Sequence, residues 1–278
     1  MKVPGRYNYI GIFLTLRCNL NCEYCLNKQG EFNGRCERSA EEWIKVLNNL
    51  EIRSDLPITL EGGEPSLHSG FYNIIEKVNY PLDILSNLQF DVGEFISKVN
   101  PVWLNKGRSD SYKSIRISYH EQDREDLLQK AVMLQDAGFN AGIFSINLPE
   151  KTANNMKMAE LCRKNKIYYF IKDYLGYYND KLFGFYKYPD AMNHKKRRVD
   201  CRIKELLVAP DGKVFRCHRD LYANNNSIGY IYDSNFKIED IFRPCNMYGW
   251  CNPCDVKLKS NRFLEMGSCS VEIKNGLV

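Results

Sequence analysis

Short apolar runs alternate with helix-spaced runs over the first two-thirds of the chain. Tyr9–Thr15 reads as a strand. Ser39 then opens a helix, with Glu42 three residues on completing a capping box. Trp43, Val46, Leu47 and Leu50 recur behind it at helical spacing. Residues 57–60 form a second strand, ending in Glu61-Gly62-Gly63-Glu64-Pro65. Residues 71–78 suit a helix, 82–86 a strand, and 92–99 a short helix capped by Asp91. Residues 114–119 are the next strand. The clearest helix is 124–137, where Leu127, Leu128, Ala131, Leu134 and Ala137 share a face and Gly138 stops it. Residues 141–146 and 167–171 are strands, separated by a helix near 153–165.

Six such alternations predict an α/β fold with a parallel sheet and right-handed crossovers. The order fits a curved, incomplete barrel, a partial (β/α)6 TIM-like barrel over residues 1–185. Ligands in such folds sit at the C-terminal ends of the strands. The pattern changes near residue 180: residues 183–188 are aromatic and 194–198 are a basic run. From Cys201 a β-hairpin follows, with strands at 206–209 and 213–217 around Pro210-Asp211-Gly212. Residues 186–278 are therefore expected to form a small cysteine-rich β-hairpin/α domain.

Composition narrows the picture. A chain of 278 residues buries a sizeable core, and 44% hydrophobic with 26% charged residues is ordinary for a globular protein. A net charge of +5 does not argue for nucleic acid. No segment approaches the roughly 18 uninterrupted apolar residues of a membrane span. The apolar run at 9–16 is short, ends at Arg17 and Cys18, and lacks a cleavage site, so no secretory signal is expected. The expected location is cytoplasmic, where thiols stay reduced. Eleven cysteines in that setting point to metal rather than disulfides.

Cys18-x-x-x-Cys22-x-x-Cys25 lies in the loop after the first strand. Thiolates are the usual ligands of iron–sulfur clusters. Three closely spaced cysteines can each take one iron of a cubane and leave the fourth open, as a catalytic metal site requires. The competing reading is a zinc knuckle, which needs a fourth ligand; Cys36 is the nearest cysteine behind Cys25 and has no knuckle-like spacing.

This motif, with Tyr24 before its third cysteine, resembles the radical S-adenosylmethionine superfamily. The resemblance implies a [4Fe–4S] cluster whose open iron chelates S-adenosylmethionine, a 5′-deoxyadenosyl radical, and hydrogen-atom abstraction from the substrate. It also implies a one-electron reductant such as flavodoxin or ferredoxin. Gly62, Gly63, Glu64 and Pro65 match the family's cofactor-binding glycine-rich motif. Ser86, ending the third strand before Asn87, matches a cofactor segment in part, since Leu88 stands where the family has glycine. Ser118 resembles the serine that contacts the ribose, and Asn147 falls near the adenosine. Each of these polar residues also suits the ordinary task of capping a turn.

Six of the eleven cysteines lie beyond residue 200. Cys201, Cys217, Cys251 and Cys254 offer four thiolates, enough to close a second cubane or a structural zinc ribbon. The layout resembles the auxiliary-cluster extensions of the same superfamily, in the one-cluster form called twitch rather than the two-cluster SPASM form. That resemblance implies a second, auxiliary [4Fe–4S] cluster. Cys245 and Cys269 are alternative ligands, and Cys269 also suits a hydrogen donor to a substrate radical. Asp173, after the sixth strand, is the candidate proton acceptor, with Lys172 beside it.

Two enzyme readings compete. The first is oxidation of a small metabolite such as a sugar or cyclitol alcohol, with the auxiliary cluster as electron acceptor. The second is radical epimerisation of a small molecule or radical modification of a ribosomal peptide. A third reading, from another class, is a non-catalytic zinc-binding interaction module.

Overall fold

The computed structural model describes residues 1–25, 36–105, 112–120, 124–259, 262–263 and 267–275. The barrel half runs in chain order as β1 (Tyr9–Thr15), α1 (Ala40–Asn48), β2 (Ile58–Gly62), α2 (Phe71–Lys77), β3 (Leu82–Ser86), α3 (Val92–Lys98), α4 (Pro101–Leu104), β4 (Ile115–Ser118), α5 (Arg124–Asp136), β5 (Ala141–Asn147), α6 (Thr152–Lys164) and β6 (Tyr168–Asp173). Strands β1 to β6 pair in sequence order and in parallel. The expected partial barrel is therefore present. β1 is buried almost throughout, which is why it reads as a continuous apolar run rather than an alternating one. The Ser39 capping box on α1 forms as expected: the Ser39 hydroxyl accepts from the Glu42 amide and the Glu42 carboxylate accepts from the Ser39 amide.

Strand alternation assigns the two faces of the sheet. On one face Tyr169 of β6 donates its hydroxyl to Ser145 of β5, and Asn155 of α6 bonds the Ile146 carbonyl. That is the helix-covered side. The other face carries Ser118, Phe144 and Phe170 in one row, with Lys172 paired beside Ile146 one step higher. This concave side holds buried ions: Arg116 and Arg262 both meet the Asp83 carboxylate.

The remaining chain builds β7 (Gly176–Tyr178), β8 (Lys181–Phe183), β9 (Arg197–Ile203), β10 (Glu205–Val208), β11 (Lys213–Phe215), α7 (His218–Tyr222), β12 (Gly229–Tyr230), β13 (Arg243–Tyr248), α8 (Pro253–Val256) and β14 (Val271–Asn275). The hairpin expected after Cys201 is β10–β11, which are antiparallel. β10 pairs in parallel with β1, so the hairpin and β12 extend the barrel sheet beyond its first strand. Cys201 lies instead in β9, which sits between β13 and β14 in a separate antiparallel sheet. Among the described residues no helix is long and apolar enough to cross a membrane.

Candidate functional site: two cysteine groups beside the barrel

The loop after β1 is fastened to the end of β2 by backbone bonds. The Gly63 amide donates to the Thr15 carbonyl at 2.9 Å and the Glu64 amide to the Arg17 carbonyl at 2.8 Å. Gly62 has φ +139°, and a Cβ there would sit 2.0 Å from the Thr15 oxygen. A Cβ on Gly63 would meet the Arg17 oxygen at the same distance. Side chains at either position would push β2 off the cysteine loop. Arg17 adds a clamp, bonding Glu37 through two nitrogens at 2.9 Å and the Leu67 carbonyl at 2.9 Å.

Cys18, Cys22 and Cys25 follow this anchor and influence one another electrostatically. Burial first, then Glu64 and Cys25 for Cys18 and the neighbouring thiols for Cys22, push both above the usual thiol range. Bound metal would hold these thiols as thiolates. This donor set suits iron–sulfur ligation. His120 Nδ1, at the end of β4, lies 3.3 Å from the Cys22 sulfur and 2.9 Å from the Tyr24 hydroxyl. Its ring is parallel to that of Tyr24, at 6.2 Å between centroids. Asn87 donates to Asn19 at 2.8 Å and approaches the Cys18 sulfur at 3.8 Å. The β3 and β4 ends thus both touch the cysteine loop.

Glu64 is 1% exposed, and its carboxylate accepts from Ser66, from the Ser86 hydroxyl and from the Asn87 amide. Pro65 is buried beside it at the start of a short 3-10 turn. Ser86 therefore serves Glu64 and, through Leu88, its own turn. Ser118 is exposed on the concave face. Asn147 and Asp173 pair with each other across β5 and β6, on the same side as Tyr169, while Lys172 faces the concave side. The sequence signal for Lys172 was its place in the sixth strand, which extends two residues past the expected end and takes in both Lys172 and Asp173.

The second group is assembled by the β9–β13 ladder. Cys201 opposes Arg243 and Cys245 opposes Val199, so both cysteines stand on one face as diagonal neighbours. The Cys201 thiol beside it holds Cys245 below the usual thiol range against the effect of burial. Cys217 and Cys251 lie close enough to act on Cys201 electrostatically. Burial pushes Cys251 up to about 12 and Cys217 well above the usual range. Cys254 acts instead on Lys172, Tyr186 and Tyr222. Cys269 is 3% exposed, and its sulfur donates to the Asp255 carbonyl at 3.5 Å. Asp255 is a residue that sequence reasoning passed over. It accepts from the His218 amide and ring and from the Arg219 amide, and so ties the Cys254 turn to the start of α7 just after Cys217. Among the described residues, no three His, Cys, Asp or Glu side chains converge as a single-ion site would require.

No family model matches the chain. It is 39% identical over 67 residues to a probable GTP 3′,8-cyclase of Methanopyrus kandleri, covering 24% of this chain and 22% of that protein. It is 39% identical over 62 residues to the sporulation killing factor maturation protein SkfB of Bacillus subtilis, covering 22% of this chain and 15% of that one. The chain thus matches less than a quarter of the length of these curated relatives. Among solved structures, native anSMEcpe with bound AdoMet and Kp18Cys peptide superposes with a TM-score of 0.57 at 15% identity, covering 93% of this chain and 92% of that one.

Proposed function

We propose that the chain is an enzyme of the radical S-adenosylmethionine superfamily, with the cysteine layout of its SPASM and twitch types, that modifies a peptide by hydrogen-atom abstraction. Cys18, Cys22 and Cys25 would hold the [4Fe–4S] cluster, with S-adenosylmethionine beside the Gly62–Glu64 segment. The auxiliary cluster would take Cys201, Cys217, Cys245 and Cys251. When bound, these groups supply hydrogen-atom abstraction and one-electron chemistry. The chain's own residues position them: Glu64 fixes the β2 and β3 ends together, and His120 with Tyr24 pins the loop from the β4 side. Ser118, Phe144 and Lys172 line the concave face on which a substrate would lie. A one-electron reductant of the flavodoxin or ferredoxin kind would serve the cluster.

The observation that carries this reading is the cysteine loop fastened to Gly63 and Glu64 at the C-terminal ends of parallel strands. The choice of a peptide draws its support from the relatives. SkfB is named as a maturation protein and the anSMEcpe structure holds a peptide. Oxidation of a sugar or cyclitol alcohol finds no such support. The test is anaerobic reconstitution followed by assay of 5′-deoxyadenosine with candidate peptides. About eight irons per chain and peptide-stimulated cleavage are expected. Tightly bound zinc with no iron chromophore would refute the reading.

A further inference from the structure

Among the described residues, three cations inside the barrel are paired with carboxylates. Arg116 and Arg262 share Asp83, and Lys259 meets Glu205 at 2.6 Å. Lys172 has no carboxylate among the described residues. Its ammonium lies 4.8 Å from the centre of the Phe144 ring, on the concave face. A single cation–π contact is weak compensation for a partly buried charge. The groups around it make matters worse. Burial, then Arg116 and Lys257, push Lys172 down to about 7. Lys257 comes from the segment after α8, and it too has no ion-pair partner among the described residues. Glu61 also faces this space, but burial favours its neutral form, and its Oε1 is buried without a hydrogen-bond donor.

Lys172 therefore stands on the concave face against Phe144, with Lys257 near enough to act on it, and neither ammonium forms an ion pair among the described residues. We propose that Lys172 and Lys257 form a specificity site for a carboxylate of the substrate, an acidic side chain or C-terminus of the peptide. The inference rests on the peptide reading above. A carboxylate needs one or two donors and tolerates Phe144 and Phe170 as neighbours. Lysines also bind phosphate, but as point charges; the bidentate fork that favours phosphate is missing here, since Arg116, the guanidinium at hand, is committed to Asp83 at 3.2 Å.

The test uses the reconstituted full-length protein and equilibrium dialysis. The probes are acetyl-Phe-Glu-Phe-amide, its Gln counterpart, glutarate and inorganic pyrophosphate. The Glu peptide is expected to bind about tenfold more tightly than the Gln peptide. Lys172→Met should erase that preference and leave the Gln peptide unchanged, while Lys172→Arg keeps part of it. Lys257→Gln should reduce the preference by a smaller factor. Unchanged iron content and circular dichroism establish that the variants fold. Binding of glutarate that depends on Lys172, with neither peptide bound, would sustain the carboxylate site and overturn the peptide reading. A Glu preference that survives Lys172→Met, or tighter binding of pyrophosphate than of glutarate, overturns the site itself.

Discussion

The buried Glu64 carboxylate accepts the Asn87 backbone amide at 2.8 Å, and this bond ties the end of β2 to the end of β3 directly beneath the cysteine loop. Asn87 reaches on to Asn19 within that loop. A carboxylate so placed holds the strand ends in register, and its oxygens leave few lone pairs unused. Burial raises its affinity for a proton, and the four donors around it oppose that rise. Glu64→Ala leaves the Ser86 and Asn87 donors buried and unpaired, at a cost of about 2–4 kcal/mol. Urea unfolding of the reconstituted protein should show that loss. Glu64→Gln keeps the shape and should recover at least half of it. Equal stability of the Ala variant and the parent would remove Glu64 from its anchoring role.

Cys245 and Cys254 separate two ligand sets for the auxiliary cluster. Cys245 stands on the β9–β13 face against Cys201, whereas Cys254 acts on Lys172 and Tyr222. Cys245→Ala should therefore lose about four irons per chain after reconstitution, and Cys254→Ala should retain nearly all of them. Electron paramagnetic resonance of the reduced protein adds a second readout, since loss of one cluster removes its signal. The reverse pattern would assign the ligand to Cys254, as the Cys-x-x-Cys spacing alone suggested.

These two sites mark how far the sequence could be read. The parallel strands were legible because strands buried on both faces are continuous apolar runs, as in Ile10, Ile12, Phe13 and Leu14 of β1. The Cys18–Cys25 loop and Gly62-Gly63 were legible because their spacing is local. β9 was not: Arg197, Arg198, Asp200 and Arg202 make it read as a charged loop, and only pairing with β13 and β14 turns it into a strand. The nearness of Cys245 to Cys201 depends on that pairing across more than forty residues, which no spacing rule conveys. Ser86 and Glu64 were picked out as cofactor contacts, yet their mutual bond is set by the register of β2 against β3. Lys172 and Asp173 differ by one residue, so strand alternation gives them opposite faces, and the strand's end had to be known before either could be assigned.

Glu272 provides a pH-dependent test of how the chain's two ends are joined. On β14 its carboxylate meets Arg202 of β9, Lys204 and Arg6 from the N-terminal segment. Partial burial works against the anion, but the bonds from Arg202 and Lys204 and the charge of Arg6 outweigh it and bring Glu272 down to about 2 from 4.5. A carboxylate whose folded value is depressed stabilises the fold fully above its unfolded value and loses that contribution as the pH falls through the folded one. Stability from Glu272 should hold above about pH 4.5 and fade between there and about pH 2. The side chain is about one quarter exposed, so solvent screening keeps the contribution to roughly 1 kcal/mol. Glu272→Gln should thus lower stability at pH 7 by about that amount in urea unfolding, and the difference from the parent should shrink as the pH is lowered toward 3. A difference that stays constant across this range would mean that the carboxylate's charge is not what joins Arg6 to β9 and β14.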